Sequence, residues 1–196
     1  MSRLEILAVL VNALGVWLTT RRTLWCWPVG LVGVLLYGWI FFEVKLYSDM
    51  LLQLAFALLQ GYGWWRWKTG RIDAGAVRVE RLADGQLRSG LIAGALAGAA
   101  LGFAMHSLTD AALPWLDAQL SSFSLVATLW AARRQLASWW LWIVLDAIYV
   151  GLYLFKDLPL TAGLYAGFIV LAALGLRDWG AALAGQENPA KTCAAN

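Results

Sequence analysis

The sequence predicts an all-α membrane protein with seven transmembrane helices: a three-helix unit, one connecting helix, and a second three-helix unit in the same orientation. Three observations predict it. Of 196 residues, 61% are hydrophobic and 14% charged, against roughly 45–50% and about 25% in soluble domains; so short a chain has too little interior to bury the excess. The apolar residues fall into seven runs near the ~17–25 residues of a bilayer-crossing helix, and none alternates polar and apolar as a barrel strand would. The chain also matches itself at a spacing of 112 residues.

The first run, Leu4–Thr20, ends at Arg21 and Arg22. With Glu5 near its start and no small-residue exit site, it reads as a retained helix, not a cleaved signal. The second, Leu24–Phe42, carries Pro28 near its start, where a missing N–H is tolerated. The third, Leu46–Trp67, closes a first unit spanning residues 1–67. Residues 68–88 form a linker whose mixed charges and three glycines cannot enter hydrocarbon. Ser89–Thr109 is the connecting helix of a segment 89–117, and its small residues from Ala93 to Gly102 predict close packing. Ala118–Ala132 is the weakest span, short and rich in Ser and Thr. Ala137–Phe155 and Leu158–Trp179 complete the second unit, 118–180, and residues 181–196 read as a polar tail. Two cysteines, Cys26 and Cys193, give neither a disulfide framework nor metal spacing.

Seven crossings put alternate gaps on opposite sides. One side, with the C-terminal end, collects Arg21, Arg22, Arg66, Lys68, Arg71, Arg78, Arg81, Arg88, Arg133, Arg134, Arg177 and Lys191. The other has Arg3, Lys45 and Lys156. Cytoplasmic gaps are the basic ones, so the N-terminus is placed outside and the C-terminus in the cytoplasm. The net charge of +3 then speaks of orientation, not of nucleic acid.

At the 112-residue spacing, Arg21 and Arg22 fall on Arg133 and Arg134, Trp27 on Trp139, Tyr37 on Tyr149, Gly63 on Gly175 and Trp67 on Trp179. Three helices reverse the chain, so one further helix is needed for both units to point the same way. Parallel repeats of this kind hold substrate near the midplane between the halves.

Ionisable and polar residues inside spans are costly and mark candidate sites. In the sixth run, Trp139, Trp142, Asp146, Tyr149 and Tyr153 share one helical face. A carboxylate among aromatic rings suits a flat cationic or hydrogen-bonding ligand. Trp142, Asp146 and Tyr149 are therefore candidate substrate contacts, the alternative being a structural acid bonded to a neighbouring helix. In the third run, Asp49, Gln53, Gln60 and Trp64 form a second stripe. Gln53 and Gln60 can recognise amides or hydroxyls, or bond helices together; Asp49 can equally start the helix. Thr161, Tyr165 and Phe168 share a face of the seventh run, and Tyr165 can add a ring and a hydroxyl to the same cavity. Ser121, Ser122, Ser124 and Thr128 read as packing residues, and His106 as interfacial or capping. Trp27, Trp67 and Trp179 read as interface anchors, with Trp64 part of a ligand cage. Nucleophile–base motifs, phosphate-cradling loops and Cys/His clusters are missing from the sequence, so it predicts neither an enzyme, nor a cofactor, nor a metal site.

These residues also resemble a known family. Leu24–Trp67, with Trp-Pro-Val-Gly-Leu-Val-Gly from Trp27, Lys-Leu-Tyr at 45–47, Leu-Leu-Gln at 51–53 and Tyr-Gly-Trp-Trp-Arg-Trp at 62–67, strongly resembles the PnuC family of bacterial vitamin transporters. Ala-Ala-Arg-Arg at 131–134, Trp-Trp-Leu-Trp at 139–142, Asp146 and Trp179 resemble it too, so the likeness covers about residues 5–180. It implies a SWEET-like 3+1+3 fold, a homotrimer in the bacterial inner membrane, and facilitated uptake of a vitamin precursor trapped by cytoplasmic phosphorylation. It would place ring and ribose recognition on Gln53 and Trp142. Nicotinamide riboside is the family's usual cargo, with thiamine and riboflavin branches beside it. Members carrying nicotinamide riboside have Asn where this chain has Asp146, and Asn at the position of Gln60; acid at 146 is closer to the thiamine branch. Nicotinamide riboside is expected first, thiamine second, and a ligand-free membrane scaffold is the remoter alternative.

Overall fold

Helices form where the apolar runs lie: α1 (Arg3–Thr20), α2 (Cys26–Glu43), α3 (Tyr47–Lys68), α4 (Asp84–Leu108), α5 (Pro114–Ala132), α6 (Ala137–Phe155) and α7 (Pro159–Glu187). The structure is a computed structural model that describes residues 3–43, 45, 47–70, 72–73, 76–108, 113–155 and 157–187. Leu46 and Thr109 at expected helix ends, Arg71, Lys156 and Lys191 of the charge pattern, and Cys193 lie outside the described residues. Between α3 and α4, β1 (Ile72–Asp73) and β2 (Ala76–Val77) pair antiparallel.

Contacts link α1 to α2, α2 to α3, α3 to α5, α5 to α6, α6 to α7 and α7 back to α1, which closes a ring of six helices; α4 packs against α5. The α4–α5 seam shows why small residues recur. Gly90, Gly94, Gly98 and Gly102 fall every fourth residue on α4, and a Cβ at each would collide with Trp130, Phe123, Gln119 and Trp115 of α5 in turn. In lipid, where van der Waals packing drives association, such a stripe lets backbones approach closely. Ser122 Oγ donates to the Gly94 carbonyl across it at 2.8 Å.

By length and composition α1, α2, α4, α6 and α7 suffice to cross a membrane, where the sequence pattern proposed seven spans. Helices α3 and α5 hold more charged and amide or hydroxyl groups. In α5 three of the hydroxyls face protein: Ser122, Ser124 and Thr128 are buried, and Thr128 Oγ1 donates to Ser124 O at 2.8 Å.

Several residues 112 apart are placed alike in α1–α3 and α5–α7. Among the described residues, the four non-glycine residues with positive φ are Arg22 (56°) with Arg134 (64°), and Lys45 (61°) with Asp157 (54°). Arg22 N donates to Thr19 O and Thr23 N to Leu18 O; Arg134 N donates to Ala131 O and Gln135 N to Trp130 O. Both pairs are the two bonds of a Schellman helix end. Trp27 meets Trp67 edge-on at 5.3 Å and 83°, as Trp139 meets Trp179 at 5.5 Å and 85°. The Trp67 indole donates to Ala131 O at 3.2 Å and the Trp179 indole to Thr19 O at 3.0 Å, each bond crossing to the other unit. Trp67 and Trp179 then touch at 5.8 Å.

Three sequence expectations are corrected. Trp27, Trp67 and Trp179, read as interface anchors, are 0–4% exposed and packed in the core, with Trp139 beside them at 3%; Gly63 and Gly175 leave the room in which the Trp27 and Trp139 rings lie, where any Cβ would collide. Helix α7 runs on to Glu187, past the expected tail boundary at 181, because its last turns find partners. Leu183 joins Val77, Val79 and the four tryptophans in one core, and Arg81 pairs with Glu187 at 2.7 Å. Helix α4 begins at Asp84, inside the expected 68–88 linker, and α5 at Pro114 instead of 118.

Residues 76–80 of that linker form a strap over the tryptophan core, with Val77 and Val79 in it. Val77 N donates to Arg22 O at 3.4 Å and Glu80 N to Arg134 O at 2.8 Å, so it is bonded to both equivalent helix ends.

Candidate functional site

Beside the tryptophan core, α1, α2, α3, α5 and α6 line a partly open cavity of about 110 Å3. Its wall is Asn12, Gly15, Val16, Thr19, Cys26, Trp27, Gly30, Gln60, Thr128, Ala131 and Trp142. Gln60 and Trp142, both picked from the sequence, meet here. The wall is uneven because the two units differ at matched positions. Gly30 corresponds to Trp142 and Gln60 to Ala172, so a small and a large residue have exchanged places. The Gln60 amide lies against Gly30, where a Cβ would collide with it.

Trp142 packs against both apolar cores of the molecule, so its indole is held between them. One turn on, Asp146 is 5% exposed and takes part in none of the ion pairs among the described residues. Tyr149 follows on the same face and stacks on Tyr165 at 4.6 Å and 27°; Tyr153 completes the stack, 5.2 Å from Tyr165. Tyr165 therefore extends the α6 aromatic face from α7. Gln53, 112 residues before Tyr165, sits where α3 meets α2: a Cβ at Gly38 would lie 3.6 Å from its Cβ. Trp64 is 50% exposed and lines neither this cavity nor the cleft at the arginine-rich end.

The sequence pattern passed over Asn12, Thr19 and Thr128 as site residues. Asn12 Nδ2 donates to Ala8 O at 2.9 Å and Thr19 Oγ1 to Gly15 O at 2.8 Å, which ties these polar groups to their own helix. The signal was present for Asn12, a neutral amide alone in the middle of an apolar run. At about 110 Å3 the cavity is well below the ~300–1,000 Å3 of sites that hold whole small molecules. A vitamin-sized ligand needs its helices to part.

Apolar helices around a small cavity of mixed lining, with Asn12, Thr19, Gln60 and Thr128 beside apolar residues, suit a multi-pass membrane transporter. Comparison with known proteins agrees. The model of the family described as "Nicotinamide mononucleotide transporter" matches residues 2–181. The riboflavin/roseoflavin transporter RibM of Streptomyces davaonensis is 32% identical, over 89% of this chain and 81% of that protein. The nicotinamide riboside transporter PnuC of Escherichia coli K12 is 25% identical, over 91% and 85%. The crystal structure of the vitamin B3 transporter PnuC superposes with a TM-score of 0.75 at 24% identity, over 92% of this chain and 81% of that one. The chain belongs to the nicotinamide mononucleotide transporter family, the PnuC family. It is a transporter, not an enzyme.

Proposed function

We propose that this protein carries out facilitated uptake of a vitamin precursor with a flat cationic ring, nicotinamide riboside first and thiamine second. Asp146 carries the reading. It is a buried carboxylate, one turn from cavity-lining Trp142, on a helix without a single basic residue. A buried carboxylate without a cation is unfavourable. A permanently charged ring against Trp142 supplies the missing charge, with cation–π attraction of ~0.5–2 kcal/mol. Gln60 donates and accepts toward an amide or hydroxyls. The cargo in the name of the Escherichia coli relative supports nicotinamide riboside. The higher identity to RibM supports a second reading, riboflavin, whose ring is neutral.

In this reading α1–α3 and α5–α7 are parallel repeats joined by α4, the SWEET-like 3+1+3 plan. The ring of contacts and the matched tryptophans support it. The protein sits in a bacterial inner membrane with its arginine-rich end cytoplasmic, as the basic gaps suggest. Homotrimer formation and trapping of cargo by phosphorylation rest on the family likeness.

The test is titration of the purified protein with nicotinamide riboside, thiamine and riboflavin, followed by uptake into liposomes. Saturable binding of a cationic vitamin is expected, weakened by Asp146→Asn. Binding of riboflavin alone selects the second reading, and no saturable uptake of any of the three overturns the carrier.

A further inference from the structure

At the arginine-rich end lies a larger cleft, about 440 Å3, lined by Arg66, Thr69, Gly70, Arg78, Glu80 and Arg134. Three guanidinium groups face one carboxylate there. Arginines that only mark orientation stay in water, as Arg21, Arg88 and Arg133 do. Arg134 is different: its side chain is 9% exposed, and it pairs with Glu80 through Nη2. Its Nε is buried without a partner, and so is Nε of Arg66. Gly70 makes the room, since a Cβ there would collide with the Arg134 guanidinium.

The other unit lacks this arrangement. At the 112-residue spacing Arg66 becomes Asp178, Thr69 becomes Ala181 and Gly70 becomes Ala182. Arg22, the partner of Arg134, turns Nη1 to the Val77 carbonyl at 3.4 Å. The cleft is thus no by-product of the fold.

We propose that this cleft binds a phosphate group. A phosphate group, a dianion in a monoester and a monoanion in a lipid diester, accepts from several guanidinium N–H groups at once and offsets the excess positive charge. The group arrives on a soluble phosphate monoester or on an anionic phospholipid. Once bound, it joins the end of α3, the strap and the α5–α6 turn, and so holds the two units together. The site stands on the cleft alone; this brake on transport rests on the carrier reading.

The test uses the full chain in nanodiscs of phosphatidylcholine, with thermal unfolding followed against inorganic phosphate and nicotinamide mononucleotide at constant ionic strength. A parallel series uses discs with one fifth phosphatidylglycerol. A saturable rise in Tm in phosphatidylcholine, weakened at least tenfold by Arg66→Gln and by Arg78→Gln but not by Arg21→Gln, supports a soluble ester. A rise that needs phosphatidylglycerol and falls with the same two variants supports a lipid headgroup. Equal loss in Arg21→Gln, or no saturable rise in either series, overturns the site. Vitamin titration of the same samples separates the two claims: the cleft variants are expected to bind cargo normally, and loss of cargo binding in the unaltered protein overturns only the carrier.

Discussion

Trp27 and Trp139 occupy matched places in α1–α3 and α5–α7, and so do Gly30 and Trp142. The first pair is the same residue in the same edge-on contact; the second exchanges a hydrogen atom for an indole. Along both units the positions that lock the halves together agree: Trp67 with Trp179, Gly63 with Gly175, and the left-handed turns at Arg22 and Arg134. Most positions on the cavity or the arginine cleft differ, among them Gly30 and Trp142, Gln60 and Ala172, Arg66 and Asp178; Trp27 and Arg134, which line them yet keep their match, also belong to the framework. Framework is shared between the units, and chemistry is where they part.

The strongest way to break this comparison is to overfill the framework. Gly63→Leu and Gly175→Leu each drive a side chain into a tryptophan ring, at a cost of about 3 kcal/mol. Thermal unfolding should show equal losses in the two variants; a clear inequality would mean the framework is not shared. Trp142→Ala removes a ring that differs between the units. Stacking on an aromatic contributes about 1–3 kcal/mol per base-like ring, so cargo affinity should fall roughly ten- to a hundredfold with the fold retained, as a titration would read.

Asp146→Asn keeps the shape and removes the charge. Affinity for a cationic vitamin should fall about tenfold, ~1.4 kcal/mol, while riboflavin binding stays level. Trp67→Phe and Trp179→Phe each delete one indole N–H bond across the units, about 1 kcal/mol, and should again be equal in a denaturation series. Smallest is Arg81→Gln, which opens an exposed ion pair with Glu187 and should leave Tm unchanged within error.

The sequence disclosed helices better than partners. Hydropathy placed the start and end of α6 correctly, because lipid compels every span to satisfy its own backbone. It missed the last turns of α7: their stabilising contacts are Val77, Val79 and Arg81, about a hundred residues away. Tryptophans at the ends of spans read as anchors because composition cannot show a glycine on the next helix; Gly63 and Gly175 convert them into core. Spacing singled out Gln60 and Trp142, which line the cavity, because each lies on a stripe of polar or aromatic residues. Asn12 has no such stripe, and Trp64 shares a stripe with Gln60 yet points half its surface outward.

The strap deserves a kinetic reading. Its amides at Val77 and Glu80 end on carbonyls on opposite sides of the 112-residue match, so a carrier that works by rocking α1–α3 against α5–α7 strains these two bonds. Deuterium uptake at those two amides should therefore quicken under turnover and slow when cargo is withheld, giving the cycle an intrinsic clock that needs no attached label.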